Sequence, residues 1–362
     1  MTTELERAAL LADHRPAALT RELLDQIAGG AAELDRGVRD TRGNVELLAR
    51  AGLIGLGAPD NHDRELPTMA SVIAELAGHC MSTAFSVWAH RMTLEYLTAA
   101  ATLWSRDAAA NLLGGEALGV TGMASAFKDA AGCGSLELAA APADDGYRLS
   151  GTLRWASNLH PDSIMVTAAR TGSGDKIIVA LPLATTGVVI GDHFDLLALG
   201  STASSWITLD DVYVSTDQIL SRDTGSFLTR VRPTFLVLQS AMCVGLARRS
   251  LDETQNNLAG INSVFAAEFD SLTAELASIE SRVTAFADAV GGPAVPGKRD
   301  LLTARLNAAE IVSAAAALEI RTTGGKGYAS RTDASRRFRE AAFIPVQSPA
   351  ESQLRWELHN CP

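Results

Sequence analysis

The sequence of 362 residues predicts an α+β protein of several domains, with helices, then a compact β unit, then helices again. Three observations carry this. Apolar residues in the first part recur at helical spacing. From about Gly119, short β-rich runs separated by Gly, Asp and Thr replace that spacing. Past about Asp223 the helical pattern returns, with Leu272, Leu276, Ile279, Val283, Phe286 and Val290 spaced 4, 3, 4, 3, 4 on one face. The divisions are placed at 1–116, 117–222 and 223–362, and a chain this long exceeds one ordinary domain.

In the first part, Leu23, Leu24 and Ile27 share a face, and Val45, Leu47 and Leu48 lead into a glycine-bearing exit at Gly52 and Gly55. Pro59 and the run Asn61 to Arg64 mark a loop, after which Ser71 to His79 and Ala84 to Ala99 continue as helix. In the second part, Asp144-Asp145-Gly146 is a turn between alternating segments at Leu136–Leu138 and Tyr147–Gly151, which predicts a hairpin. Ile164–Ala169, Ile177–Leu183, Val188–Ile190 and Trp206–Val214 follow as strands, while the stretch around Ser125 reads as loop. In the third part, Gly291-Gly292-Pro293 stops the striped helix. Leu302, Leu306, Ile311, Leu318 and Ile320 line another helix that ends at Gly324-Gly325, so half of a four-helix bundle is expected.

Composition narrows the function. A formal charge of −11 opposes nucleic-acid and anionic-membrane partners. Cys80, Cys133, Cys243 and Cys361 lack paired spacing, and His14, His62, His79, His193 and His359 form no ligand pattern, so no metal site is expected. The opening residues, with Glu4, Glu6 and Arg7, lack a signal pattern, and a cytoplasmic location is expected.

Short blocks then appear in a telling order: Val120-Thr121, Trp155-Ala156-Ser157-Asn158, Gly200 to Val214, Gly245 to Asp252, Gly324-Gly325-Lys326-Gly327-Tyr328 and Arg339-Glu340-Ala341. Their collinearity along nearly the whole chain resembles the acyl-CoA dehydrogenase superfamily. The resemblance implies an N-terminal helical domain, a central β barrel or sandwich and a C-terminal four-helix bundle, assembled as a homodimer or homotetramer. It also implies FAD. The Trp155 indole would lie on the flavin ring, the Ser157 hydroxyl would donate to its N5/O4 edge, and Val120 and Thr121 would reach its pyrimidine side. A large core residue at a domain interface is the other reading of Trp155. Gly324 and Gly325 would offer backbone N–H groups to phosphate or adenine, with Arg321 and Lys326 adding positive charge; a helix cap and turn explains the same glycines.

Other family positions are changed. Phe127 stands where relatives carry a serine, and Ile261 stands where an arginine normally reaches the pyrophosphate of the neighbouring subunit's cofactor, which predicts a weakly held cofactor. The carboxylate that removes the α proton of an acyl thioester is replaced by Ser348, and the alternative position of that base by Phe235. Glu351, His160 and His90 are the candidates to replace it. Each has a plainer reading: a first-turn helix residue, a loop histidine and a structural histidine.

Three functions follow from the resemblance. The first is an FAD-dependent oxidoreductase acting on an acyl thioester or related small molecule and passing electrons to an acceptor. The second is a flavin-dependent monooxygenase of the same fold, with FMN reduced by a separate flavin reductase. The third is a non-catalytic partner subunit.

Overall fold

A computed structural model describes residues 19–100 and 102–361. Glu4, Glu6, Arg7 and His14 lie outside the described residues. The first part contains α1 (Arg21–Gly29), α2 (Ala31–Asp35), α3 (Arg42–Arg50), α4 (Leu66–His79), α5 (Met81–Ala100) and α6 (Leu103–Gly114). Threonine side chains cap two of these helices, Thr20 accepting from the Leu23 N–H and Thr102 from the Ser105 N–H. Every residue of α5 from Met81 to Leu97 is buried, which makes it a wall shared by several neighbours rather than a surface helix. Its buried Arg91 and Glu95 pair at 2.8 Å, and the same two side chains bond Leu56 O and the Asp60 N–H of the loop before α4.

The eight strands are β1 (Gly119–Gly122), β2 (Leu138–Ala143), β3 (Gly146–Ala156), β4 (Ile164–Thr171), β5 (Lys176–Pro182), β6 (Val188–Ile190), β7 (Ser205–Ser215) and β8 (Ile219–Ser221). They form one mixed sheet in the order β6-β7-β3-β2-β4-β5-β8, with β1 parallel to β4. The expected hairpin is present: Ala143 pairs with Gly146 across Asp144-Asp145. Leu149, Leu153, Met165, Val179, Leu181, Ile207 and Val212 build a core for this sheet, separate from the helical core. The stretch read as loop around Ser125 is instead helix α7 (Ala124–Ala130). It is short, and its buried residues Ser125, Ala126 and Phe127 are consecutive, too little period to stand out in sequence.

The third part begins with α8 (Thr224–Gln255), capped by the Asp223 carboxylate, in which every residue from Pro233 to Ala247 is buried. Next come α9 (Ala266–Ala289), α10 (Lys298–Thr323), the single turn α11 (Gly325–Tyr328), α12 (Asp333–Phe343) and α13 (Glu351–His359). The stripe on α9 packs as its spacing requires, with Leu276, Ile279 and Val283 buried. Helix α10 is long and apolar enough to cross a membrane, and 67% of its apolar stretch is buried inside the chain. A bidentate pair between Arg337 of α12 and Glu319 of α10, both buried, locks the last helices together.

Candidate functional site

A cavity of about 480 Å³ opens between the sheet and the two groups of helices. The sheet side supplies Thr121 at the end of β1, and Trp155, Ala156 and Ser157 at the end of β3. The helix side is aromatic. Phe85 and Trp88 of α5 stack at 5.6 Å, Phe343 meets Phe85 edge-on at 5.0 Å, and Phe235 of α8 meets Trp88 at 5.0 Å. Phe127 of α7 backs Phe235 at 4.7 Å. The irregular segment 191–199 forms a rim, held by Arg339, which bonds Asp35 and Leu197 O, and by Phe194, whose ring lies 4.5 Å from that of Trp155.

Asn158 sets the register of these walls. Its amide nitrogen donates to Ser86 O of α5 at 2.9 Å and to Gly119 O of β1 at 3.0 Å, while its own N–H bonds Thr202 O. Its backbone is left-handed, at φ 61°, a conformation asparagine tolerates better than most residues. One fully buried side chain thereby joins the end of β3, the start of β1 and helix α5.

The four cofactor candidates of the sheet are found close together. Trp155 is 52% exposed, so its indole presents a face to the cavity instead of filling a core. Thr121 and Ser157 line the same space, and Val120 anchors β1 in the sheet core. The hydroxyls are already bonded. Thr121 meets Tyr96 Oη at 3.3 Å. Ser157 meets Ser204 at 2.7 Å, Ser204 meets Thr202 at 2.8 Å, and Thr202 donates to Leu199 O. Because Thr202 spends its proton on that carbonyl, Ser204 donates to Thr202 and Ser157 donates to Ser204. Ser157 therefore turns lone pairs to the cavity. Donating to a ligand requires the relay to reverse. A flat aromatic face with two hydroxyls at strand ends fits the ring of a flavin.

The groups expected at the phosphates do not line this cavity. Arg321 pairs with Glu268 and lies over the Phe265 ring at 5.0 Å; Gly324 ends α10 at φ 65° and Gly325 starts the single-turn α11. Nor do the candidates for a base. His160 sits outside the cavity near Asp40, Arg42 and Asp162, with burial lowering its pKa. Glu351 accepts from Arg355 at 2.8 Å on the outer side of α13. His90 is fully buried: it accepts the Gly119 N–H on Nδ1, and its Nε2 donates to Leu112 O. Burial pushes its pKa down to about 4.

The His90 geometry predicts a pH dependence. Unfolded, the imidazole protonates near 6.5; folded, it stays neutral to about 4. Its contribution is full above pH 6.5 and is lost as pH falls toward 4, amounting to about 3 kcal/mol. Urea denaturation at pH 7 and pH 4.5 should show a smaller loss for His90→Asn, which keeps an acceptor for Gly119 without titrating. An equal loss in both proteins refutes it.

Ser348 and Phe235, the two positions that the resemblance assigns to the base, both line the cavity. Sequence reasoning passed over Phe85, Trp88, Gln347 and, behind the wall, Arg305. The last had a signal: it falls three residues after Leu302, on the apolar stripe of α10, where a charge is out of place.

No protein-family profile matches the sequence, and no curated protein matches it significantly. Solved structures do match in shape. A glutaryl-coenzyme A dehydrogenase in complex with glutaryl-CoA aligns at TM-score 0.83 and 16% identity, over 94% of this chain and 95% of that one. Butyryl-CoA dehydrogenase from Megasphaera elsdenii aligns at 0.83 and 16%, over 99% and 98%. Dibenzothiophene monooxygenase from Paenibacillus sp. A11-2 aligns at 0.77 and 18%, over 94% of each chain. At such identities the likeness is one of architecture: this chain has the acyl-CoA dehydrogenase fold, which a monooxygenase shares.

Proposed function

We propose that the chain is a flavin-dependent monooxygenase acting on a compact aromatic substrate. One observation carries the reading: the wall facing the flavin-ring candidates is aromatic, made of Phe85, Trp88, Phe235 and Phe343, and among the described residues no aspartate or glutamate lines the cavity. Removing a proton α to a thioester needs a carboxylate in contact with substrate. Glu351 is engaged elsewhere. Aromatic walls instead favour a planar substrate through offset and edge-on contacts.

The flavin is read as FMN, which the monooxygenase TdsC from Paenibacillus sp. A11-2, of the same fold, binds. The chemistry it would supply when bound is reductive activation of oxygen: two electrons from the reductase, two protons and one O2 put one oxygen atom into the substrate and release the other as water. The chain's own part is positioning. Trp155 and the aromatic wall hold two flat molecules and exclude water, and Thr121 and, once its hydroxyl relay reverses, Ser157 present hydroxyls to the flavin edge. A separate reductase supplies the electrons. Assembly as a homodimer or homotetramer belongs to the same reading, supported by Ile261, Val264 and Tyr328, exposed at 87%, 75% and 81% at one end of the helical bundle.

The test is direct. With FMN, a flavin reductase, NADH and 18O2, the protein should convert members of a panel of simple aromatics to products carrying one 18O atom. Acyl-CoAs mixed anaerobically with the flavin-loaded protein should leave the flavin oxidised. Rapid bleaching by an acyl-CoA, without any 18O product, would return the chain to the dehydrogenases.

A further inference from the structure

Arg305 of α10 is fully buried, and among the described residues no carboxylate pairs with it. Its Nε donates to Gln239 Oε1 at 3.1 Å, and one terminal nitrogen donates to Gln347 Oε1 at 3.2 Å and Ile344 O at 3.4 Å. The other terminal nitrogen has no partner. A guanidinium is always charged and offers only donors, so both glutamines must turn their oxygens toward it. Their amide nitrogens then face away. That of Gln239 holds Ser348 O at 2.9 Å. That of Gln347 meets no protein acceptor, although Gln347 is only 3% exposed and lines the cavity. The Ser348 hydroxyl beside it is also buried and unpartnered.

A buried cation without a counter-ion is costly, and so is each unanswered donor. Here both point to the same missing chemistry, an acceptor carrying negative charge. We propose that this corner of the cavity binds an oxyanion of the substrate, the phenolate or carboxylate oxygen of an aromatic compound. Gln347 Nε2 and Ser348 Oγ donate to that oxygen, and Arg305 polarises the Gln347 amide and supplies the balancing charge from behind. The position that the resemblance assigns to a carboxylate has the opposite electrostatic sign. The inference rests on the aromatic-substrate reading for the ring and on Arg305, Gln347 and Ser348 for the oxygen.

Binding without turnover tests it. The full-length, FMN-loaded protein is titrated with 4-nitrophenol, benzoate and, as the neutral control, nitrobenzene. Both anions, or one of them, should bind at least about tenfold more tightly than nitrobenzene, and bound 4-nitrophenol should ionise at lower pH than in free solution. Whichever anion leads names the group. Gln347→Glu keeps the side-chain volume, gives Arg305 a buried partner and removes the donor. It should weaken anion binding about 10- to 100-fold while preserving nitrobenzene affinity and the melting temperature. Anions bound no better than nitrobenzene, or bound equally well by Gln347→Glu, overturn the oxyanion site. Failure of the oxygenation assay with these affinities intact overturns only the reaction.

Discussion

Gly245→Ala should destabilise the protein by at least about 3 kcal/mol, at the upper end of what overpacking costs. Helices α4 and α8 touch backbone to backbone here. A Cβ on Gly245 would lie 1.8 Å from Ala74 O and 2.5 Å from its carbonyl carbon, and Gly78 on the facing helix has Gly245 O 3.1 Å from its own Cβ position. No side chain can swing aside, because the obstacle is main chain. Alanine gains about 1 kcal/mol of helix propensity over glycine, which is too little to change the sign. The helices must separate, and α8 then carries Phe235 and Gln239 away from the cavity. Urea denaturation measures the loss, and a loss under 1 kcal/mol would show that the two backbones are not in contact.

Asn158→Ala should cost a similar amount, about 4 kcal/mol, by a different route. It leaves Gly119 O buried without a donor, at about 1–3 kcal/mol, takes from Ser86 O the bond it accepts beside its own helical one, at about 1 kcal/mol, and puts a residue without local hydrogen bonding at φ 61°. Asn158→Gly separates the two causes. It loses the same bonds but accepts the backbone conformation, so it should be about 1 kcal/mol more stable than Asn158→Ala. Both variants should bind flavin poorly, since the walls lose their common pin. Tight flavin binding by either would mean that the three elements keep their register without it.

The order of elements was legible because long periodic segments report themselves. The spacing from Leu272 to Val290 and the Asp144-Asp145-Gly146 turn each left one structural solution. Helix α7 was not, being two turns long. The blocks around Thr121 and Trp155 pointed to one place, and both line the cavity there. The polar corner escaped notice because its parts are far apart in sequence, with Gln239, Arg305, Gln347 and Ser348 on three different segments. Only folding joins them, and no local pattern marks a glutamine that a distant arginine will orient.

Arg305 also bears on how this scaffold can be converted to other work. Ser348→Glu looks like the shortest path to a dehydrogenase, since it puts a carboxylate, in one step, where the resemblance assigns the base. That carboxylate would arise next to Gln347, whose amide oxygen binds the buried Arg305 guanidinium, and the positive charge behind it would hold the carboxylate ionised and lower its basicity. The substitution would yield a counter-ion, not a base. The path has to begin at Arg305, through a neutral residue that the two glutamines tolerate, before a glutamate at 348 is worth anything. Mutational order is therefore built into the packing, and a screen that samples single substitutions at 348 will pass over an activity that lies two steps away.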